Sequence, residues 1–188
     1  MFRDPANAPA TCTSVLLAGL PQSADLVMVF GNPSRPASGA LSMLDAAGEL
    51  AQHHLAQWQA EDLSRDHHTD DAAVAQAKRQ IDAMNLMRAE LVDRVDSLID
   101  DSLPADPRAS LHTETLGQLV DRLAVAWVRS RRLAEVAGSD AALRSDARRA
   151  MMLLTQLCDA YDDLLRDLRD GRRRLPAWRT LKRYGTTR

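Results

Sequence analysis

The clearest structural signal in this 188-residue chain is the stretch Ile81-Asp-Ala-Met-Asn-Leu-Met-Arg-Ala-Glu-Leu-Val-Asp-Arg-Val-Asp-Ser-Leu98. Its apolar residues recur at alternating spacings of three and four, at Ile81, Met84, Leu91, Val95 and Leu98. This alternation places the side chains on one face of an α-helix and is typical of helices that pack lengthwise in a bundle. The sequence therefore predicts a long helix from the N-cap Thr69 to about residue 101.

Three further stretches show the same helical periodicity, at about residues 41–64, 113–137 and 140–170. Gly138 favours a helix end, and Ser139-Asp140 favours the start of the next helix. The chain is rich in Ala, Leu and Arg, which favour helices, and poor in the β-branched residues that favour strands. We therefore predict an all-α fold in which four long helices form a bundle of two stacked αα-hairpins.

The two ends of the chain differ from this pattern. Five of the eight prolines lie in residues 1–40, which we predict to be a Pro-rich N-terminal arm, extended or partly disordered, outside a helical domain of residues 41–188. Within the arm, Val15–Leu20 and Leu26–Phe30 could pack on the bundle as extended segments. The basic tail should form a short C-terminal helix from Pro176, and we favour docking of Leu175, Trp178 and Leu181 on the bundle over phosphate binding.

Composition narrows the classes of function. The net charge is −2, so we expect no general attraction to nucleic acid. No apolar run approaches the roughly 20 residues that span a bilayer, so we expect no membrane insertion. Cys12 and Cys158 do not form a disulfide framework, and we predict a cytoplasmic protein. Because no phosphate-binding loop or zinc-ligand spacing is present, we predict no cofactor.

Arg88 occupies the position between Met84 and Leu91 where the helix seam requires an apolar residue, and Asn85 lies one step around the same face. A guanidinium there must be paired or must extend to solvent, because an unpaired buried charge is costly. Two interpretations fit: a buried polar layer that fixes the register of the helices, or part of a functional site.

Further charged residues lie at the end of the first predicted helix and in the third, at Glu61, Asp62, Arg65, Glu114, Asp121 and Arg122. Asp121 follows Glu114 by two turns, beside Gly117, where a neighbouring helix can approach closely. Two carboxylates on one face, with Glu61 or Asp62, could hold a cationic ligand or a metal. The Glu-x-x-His motifs of di-iron bundles are absent, so we predict no metal site.

Two histidine pairs also stand out, His53-His54 in the first long helix and His67-His68 in the turn after it. Consecutive residues on a helix point about 100° apart, so each pair offers at most one ligand to a common site. We interpret all four as solvated side chains of the surface and the turn.

Three segments resemble the bacterial domain of unknown function 4254 family: Trp58-Gln-Ala-Glu-Asp-Leu-Ser-Arg-Asp66, Lys78-Arg-Gln-Ile-Asp-Ala-Met-Asn-Leu-Met-Arg88, and Leu111-His-Thr-Glu-Thr-Leu-Gly-Gln-Leu-Val-Asp-Arg-Leu123. The resemblance covers about residues 50–184. It implies an all-helical protein with no established activity, often encoded beside glycosyltransferase or other biosynthetic genes. Asn85, Arg88 and the six further charged residues named above lie in these segments. Gln59 and Arg132 stand where the family usually has histidine.

Two functions are consistent with the sequence. The first is an accessory or interaction protein of a bacterial biosynthetic pathway (polysaccharide or specialised metabolite), acting as a homodimer or with a partner protein. The second is a small enzyme whose charged crevice between the hairpins acts on an anionic or amine-bearing small molecule. An enzyme needs charged groups with displaced pKa values around a pocket that solvent can reach, whereas an interaction protein needs an exposed apolar surface.

Overall fold

The computed structural model describes residues 19–33, 42–65, 71–99 and 106–177, without the side chains of residues 63–65 and 71. Five helices make up most of this part of the chain: α1 (Ser23–Gly31), α2 (Met43–Arg65), α3 (Asp71–Ser97), α4 (Leu116–Val136) and α5 (Ala141–Arg169). Two residues each form β1 (Ser110–Leu111) and β2 (Arg173–Arg174). The prediction of an all-α fold is confirmed, and α2 to α5 are the four long helices expected.

The ends of the long helices follow local capping chemistry. Asp140 accepts hydrogen bonds from the backbone N–H groups of Ala142 and Leu143 at the start of α5, as predicted. Gly138 has φ +41°, a left-handed conformation that lets the chain turn between α4 and α5. At the start of α4 the cap is Thr115, which accepts from the backbone N–H of Gln118 at 3.2 Å.

The long helices pack as a series of pairs. α2 lies along α3, α4 lies along α5, and α4 also packs on α2 and on α3. Within the described chain, α5 packs mainly on α4 and contacts α1, without comparable packing on α2 or α3. A regular bundle of two stacked hairpins is therefore not confirmed. On α5 the consecutive residues Met151, Met152 and Leu153 are all about half exposed or more.

Helix α1 completes the core where an extended segment was expected. Leu26 and Phe30 are fully buried, and the Phe30 ring lies 6.0 Å from the ring of Trp127. Ser23 donates to Asp162 of α5 through both its backbone N–H and its hydroxyl. The extended interpretation of Leu26–Phe30 is wrong, because the proline-free stretch places its large apolar residues on one helical face. The rest of the predicted arm, residues 1–18 and 34–40, lies outside the described residues.

A short parallel ladder joins the linker before α4 to the segment after α5. Ser110 pairs with Arg173 and Leu111 with Arg174, and the His112 N–H donates to the Arg174 carbonyl at 2.8 Å. Leu175 is partly buried against the core. Residues 178–188, which include most of the predicted C-terminal helix, lie outside the described part of the chain. No helix among the described residues has the length and apolar character needed to cross a membrane.

Candidate functional site

The site begins where α3 and α4 cross at Gly117. A Cβ atom on Gly117 would lie 2.4 Å from the carbonyl oxygen of Val92 and 2.9 Å from the carboxylate of Asp96. The Gly117 N–H donates to Asp96 Oδ1 at 2.7 Å, which satisfies one of the free N–H groups at the start of α4. The predicted close approach at Gly117 is therefore present, and it brings Asp121, one turn later on α4, within reach of Arg88 on α3.

Arg88 and Asp121 form a two-pronged ion pair. Arg88 Nε donates to Asp121 Oδ1 at 2.9 Å and Nη2 donates to Oδ2 at 2.5 Å, the geometry in which a guanidinium binds a carboxylate best. The Asp121 side chain is 8% exposed, whereas that of Arg88 is 41% exposed. The buried carboxylate is thus neutralised by a cation that still reaches the surface.

His54 of α2 completes this network. Its Nε2 lies 2.8 Å from Asp121 Oδ1, and the residue is only 7% exposed. The interpretation of His54 as a solvated side chain is wrong, because α4 covers the face of α2 on which it lies. Burial by itself would raise the pKa of Asp121, but hydrogen bonds from Arg88 and His54 outweigh burial and lower it. An ionised carboxylate only accepts hydrogen bonds, so His54 carries a proton on Nε2.

A pocket of about 260 Å³ lies beside the network. Its walls come from α2, α3 and α4, and they are His54, Gln57, Trp58, Glu61, Arg88, Val125 and Val128. Gln57 Nε2 donates to Asn85 Oδ1 at 3.2 Å and to Glu61 Oε1 at 3.4 Å. Gln57 Oε1 is buried and has no hydrogen-bond partner among the described residues. Gln57 is therefore held at the pocket wall through its amide nitrogen, while its oxygen is enclosed by protein atoms.

The structure gathers only part of the predicted charged cluster. Arg88 and Asp121 meet directly, while Glu61 lines the pocket and Asn85 binds Gln57 at its edge. Glu114 and Arg122 instead form an ion pair with each other. Asp62 is exposed, and the side chain of Arg65 is outside the described part of the chain.

Sequence reasoning missed His54 and Gln57 as members of this site, although their positions contain a signal. His54, Trp58 and Glu61 follow one another at spacings of four and three and so share one face of α2. Treating His53 and His54 as one exposed pair concealed this pattern. Within the described residues, no three His, Cys, Asp or Glu side chains lie close enough to share a metal ion.

His53 is also buried, at 9% exposure, so its interpretation as a solvated residue is wrong as well. Burial, followed by the neighbouring His54, lowers the pKa of His53 below its usual 6.5. Below about pH 6.5, His53 is protonated in the unfolded chain but remains neutral in the folded protein until the pH falls to its lowered pKa. Acidification through this range therefore favours unfolding.

We expect His53→Phe to remove this acid sensitivity. Between pH 6.5 and the lowered pKa of His53, the wild type should lose up to about 1.4 kcal/mol of stability per pH unit relative to the variant. Urea unfolding of both proteins at pH 7.5, 6.5 and 5.5 measures the difference. A constant difference across these pH values would contradict the assignment.

Comparison with known proteins adds one match. The profile of the family described as "Protein of unknown function (DUF4254)" matches residues 45–177, which include every wall residue of the pocket. No curated protein matches the chain. No solved structure matches it either. Because the profile covers well over half of the sequence, the chain belongs to the DUF4254 family of proteins of unknown function.

Proposed function

We propose that the protein binds a small amine-bearing molecule in the pocket beside Arg88, Asp121 and His54. The observation that carries this proposal is that the Glu61 carboxylate and the Trp58 ring lie in one pocket wall, because these are two kinds of group that attract an ammonium ion.

The rest of the pocket favours a cation over an anion. Glu61, which accepts a hydrogen bond from the uncharged Gln57 amide, contributes a carboxylate, and Trp58 contributes an aromatic ring of the kind that attracts ammonium groups. The guanidinium of Arg88 is already bound to Asp121 through two nitrogens. The anionic ligand that the sequence also allowed therefore has weaker support.

We expect butylamine to bind the wild type in the millimolar range, while butanol and butyrate bind more weakly. Gln57→Leu should weaken butylamine binding about five- to tenfold, because it removes the hydrogen bond that holds the Glu61 carboxylate in the pocket wall. Titration followed by calorimetry, or by the nuclear magnetic resonance signal of the Trp58 indole, measures both effects.

Gln59→Leu is the matched control, since Gln59 is exposed on the same helix and is not part of the pocket wall. Its affinity for butylamine should equal that of the wild type. Butyrate binding as tightly as butylamine, or unchanged binding by Gln57→Leu, would refute the amine proposal.

A second proposal is that the protein pairs with a second copy of itself through α5. The support is the run of exposed apolar residues Met151, Met152 and Leu153, with Val136 exposed at the end of α4. Apolar side chains concentrated on one outer helix are typical of interaction surfaces.

We expect Met152→Lys to shift a dimer towards monomer, because it places a charge in the contact. Light scattering after size-exclusion chromatography over a range of concentrations measures the mass. Met28→Lys, at an exposed position on α1, should leave the mass unchanged. A wild type that is monomeric at all concentrations, or an unchanged dimer in Met152→Lys, counts against self-association.

We further propose that the protein acts in a bacterial biosynthetic pathway, because the family resemblance implies genes often encoded beside glycosyltransferase or other biosynthetic genes. We place it in the cytoplasm because Cys12 and Cys158 do not form a disulfide framework. The amine-binding proposal and the self-association proposal can be separated in a strain that lacks the gene. The gene is restored in that strain as the wild type, as Gln57→Leu or as Met152→Lys. Loss of pathway product with Gln57→Leu alone favours the pocket, and loss with Met152→Lys alone favours the α5 surface.

A further inference from the structure

The outer face of α5 carries exposed apolar side chains near the middle of the helix. The buried residues of α5 lie on the side that packs against α4 and α1, and they are Ala150, Leu154, Tyr161, Leu164, Leu165 and Leu168. At about 100° per residue, Met152 lies at the centre of the opposite side, with Met151 and Leu153 on its two flanks. The exposed apolar residues therefore spread across the outer face instead of continuing the core.

The two halves of α5 carry opposite charges on either side of these residues. Residues 144–149 contain three arginines and one aspartate, whereas residues 159–163 contain three aspartates and no basic residue. A surface with this pattern attracts a partner on which the order of charges is reversed. A second copy of α5 that runs in the opposite direction has that reversed order.

Arg148 and Asp159 define the pattern most clearly. Both are exposed, and neither forms an ion pair within the described part of the chain. Other charges of this face are already paired inside the helix, Arg149 with Asp146 and Asp163 with Arg166. Eleven residues separate Arg148 from Asp159, so the two lie three turns and about 16 Å apart on one side of the helix. The midpoint between them falls between residues 153 and 154.

A two-fold axis through this midpoint would match every one of these features. In a symmetric dimer, a contact from one residue to another is repeated in the reverse sense on the other side of the axis. Arg148 of each copy would then face Asp159 of the other, and Met152 would lie between the two ion pairs. A parallel arrangement would place Arg148 against Arg148 and Asp159 against Asp159, and like charges repel.

We propose that two copies of the protein pair through antiparallel α5 helices, with Arg148 of each copy bound to Asp159 of the other around an apolar centre at Met152. This inference rests on the self-association proposed above and adds the direction and the register of the contact. Burial of the apolar centre supplies the attraction, while the charges select the antiparallel arrangement. Because the ion pairs lie at the rim, high ionic strength weakens their selection.

The test reverses the two charges singly and together in the full-length protein. Light scattering after size-exclusion chromatography at several concentrations gives the dissociation constant of the dimer. Arg148→Glu and Asp159→Arg should each raise it about tenfold at low salt, because both symmetric pairs become pairs of like charge. Arg148→Glu combined with Asp159→Arg restores opposite charges and should return the dissociation constant to about the wild-type value.

Arg79→Glu is the matched control, since it makes the same change of charge at an exposed position of α3. It should dimerise as the wild type does. At high salt, the single reversals should differ less from the wild type than at low salt. Thermal unfolding of each variant checks that the reversals leave the monomer folded.

A wild type that is monomeric at every concentration would overturn both the self-association and this arrangement. A wild-type dimer that neither single reversal weakens would overturn the antiparallel pairing alone, and its response to Met152→Lys then shows whether α5 is still the contact. A double variant that dimerises no better than the single reversals would also overturn the pairing of Arg148 with Asp159.

Discussion

Gly117→Ala should destabilise the protein by about 3–5 kcal/mol, one of the two largest effects we expect. The added methyl would lie 2.4 Å from the carbonyl oxygen of Val92, a backbone atom that cannot rotate away as a side chain does. Moving α4 aside would also break the 2.7 Å hydrogen bond from the Gly117 N–H to Asp96. Both losses fall on a buried contact between α3 and α4. Urea unfolding measures the change.

Gly31→Ala is the matched control for this prediction. A Cβ atom there would lie 3.7 Å from the nearest atom, a ring carbon of Trp127, which is an ordinary contact distance. Its stability should stay within about 0.5 kcal/mol of the wild type. A Gly117→Ala protein of wild-type stability would mean that α3 and α4 do not cross this closely.

Arg88→Met should destabilise the protein by about 2–4 kcal/mol. The substitution keeps the apolar stem and removes the guanidinium, so the buried Asp121 carboxylate retains only its hydrogen bond with His54. The loss comes mainly from the charge left behind and not from the ion pair itself, because half-exposed pairs contribute little. Thermal or urea unfolding at neutral pH measures it.

Adding Asp121→Asn to Arg88→Met tests this reason directly. The amide still accepts a hydrogen bond from His54 but carries no charge, so the double variant should be more stable than Arg88→Met alone. In the wild type, the lowered pKa of Asp121 means that its contribution is present above about pH 4 and is lost on further acidification. A double variant less stable than Arg88→Met would contradict the charge explanation.

The long helices could be predicted from the sequence because their signals are local. Asp140 caps α5 and Gly138 ends α4 through side-chain and backbone preferences that need no tertiary contact. Gly117 was also informative, because a residue without a side chain lets a neighbouring helix approach closely. Arg88 was identified because it interrupts an apolar seam, and such a residue needs a partner.

The features that could not be predicted from the sequence depend on contacts between residues far apart in the chain. His54 looks like a surface residue until α4 covers it, and nothing near it in sequence indicates Asp121. Helix α1 has only nine residues between two prolines, and its helical form depends on packing Leu26 and Phe30 into the core. The exposure of Met151, Met152 and Leu153 on α5 could not be predicted, because apolar residues at these positions would suit a helix packed on that side equally well.

The ladder between β1 and β2 closes the α4–α5 hairpin at its base. Ser110 and Arg173 hold its two ends together at the base, while Gly138 turns the chain at the opposite end. Because the base of the hairpin has hydrogen bonds of its own, we expect fraying at the turn to leave the base paired. Such fraying should also leave the crossing at Gly117 and the ion pair of Asp121 in place.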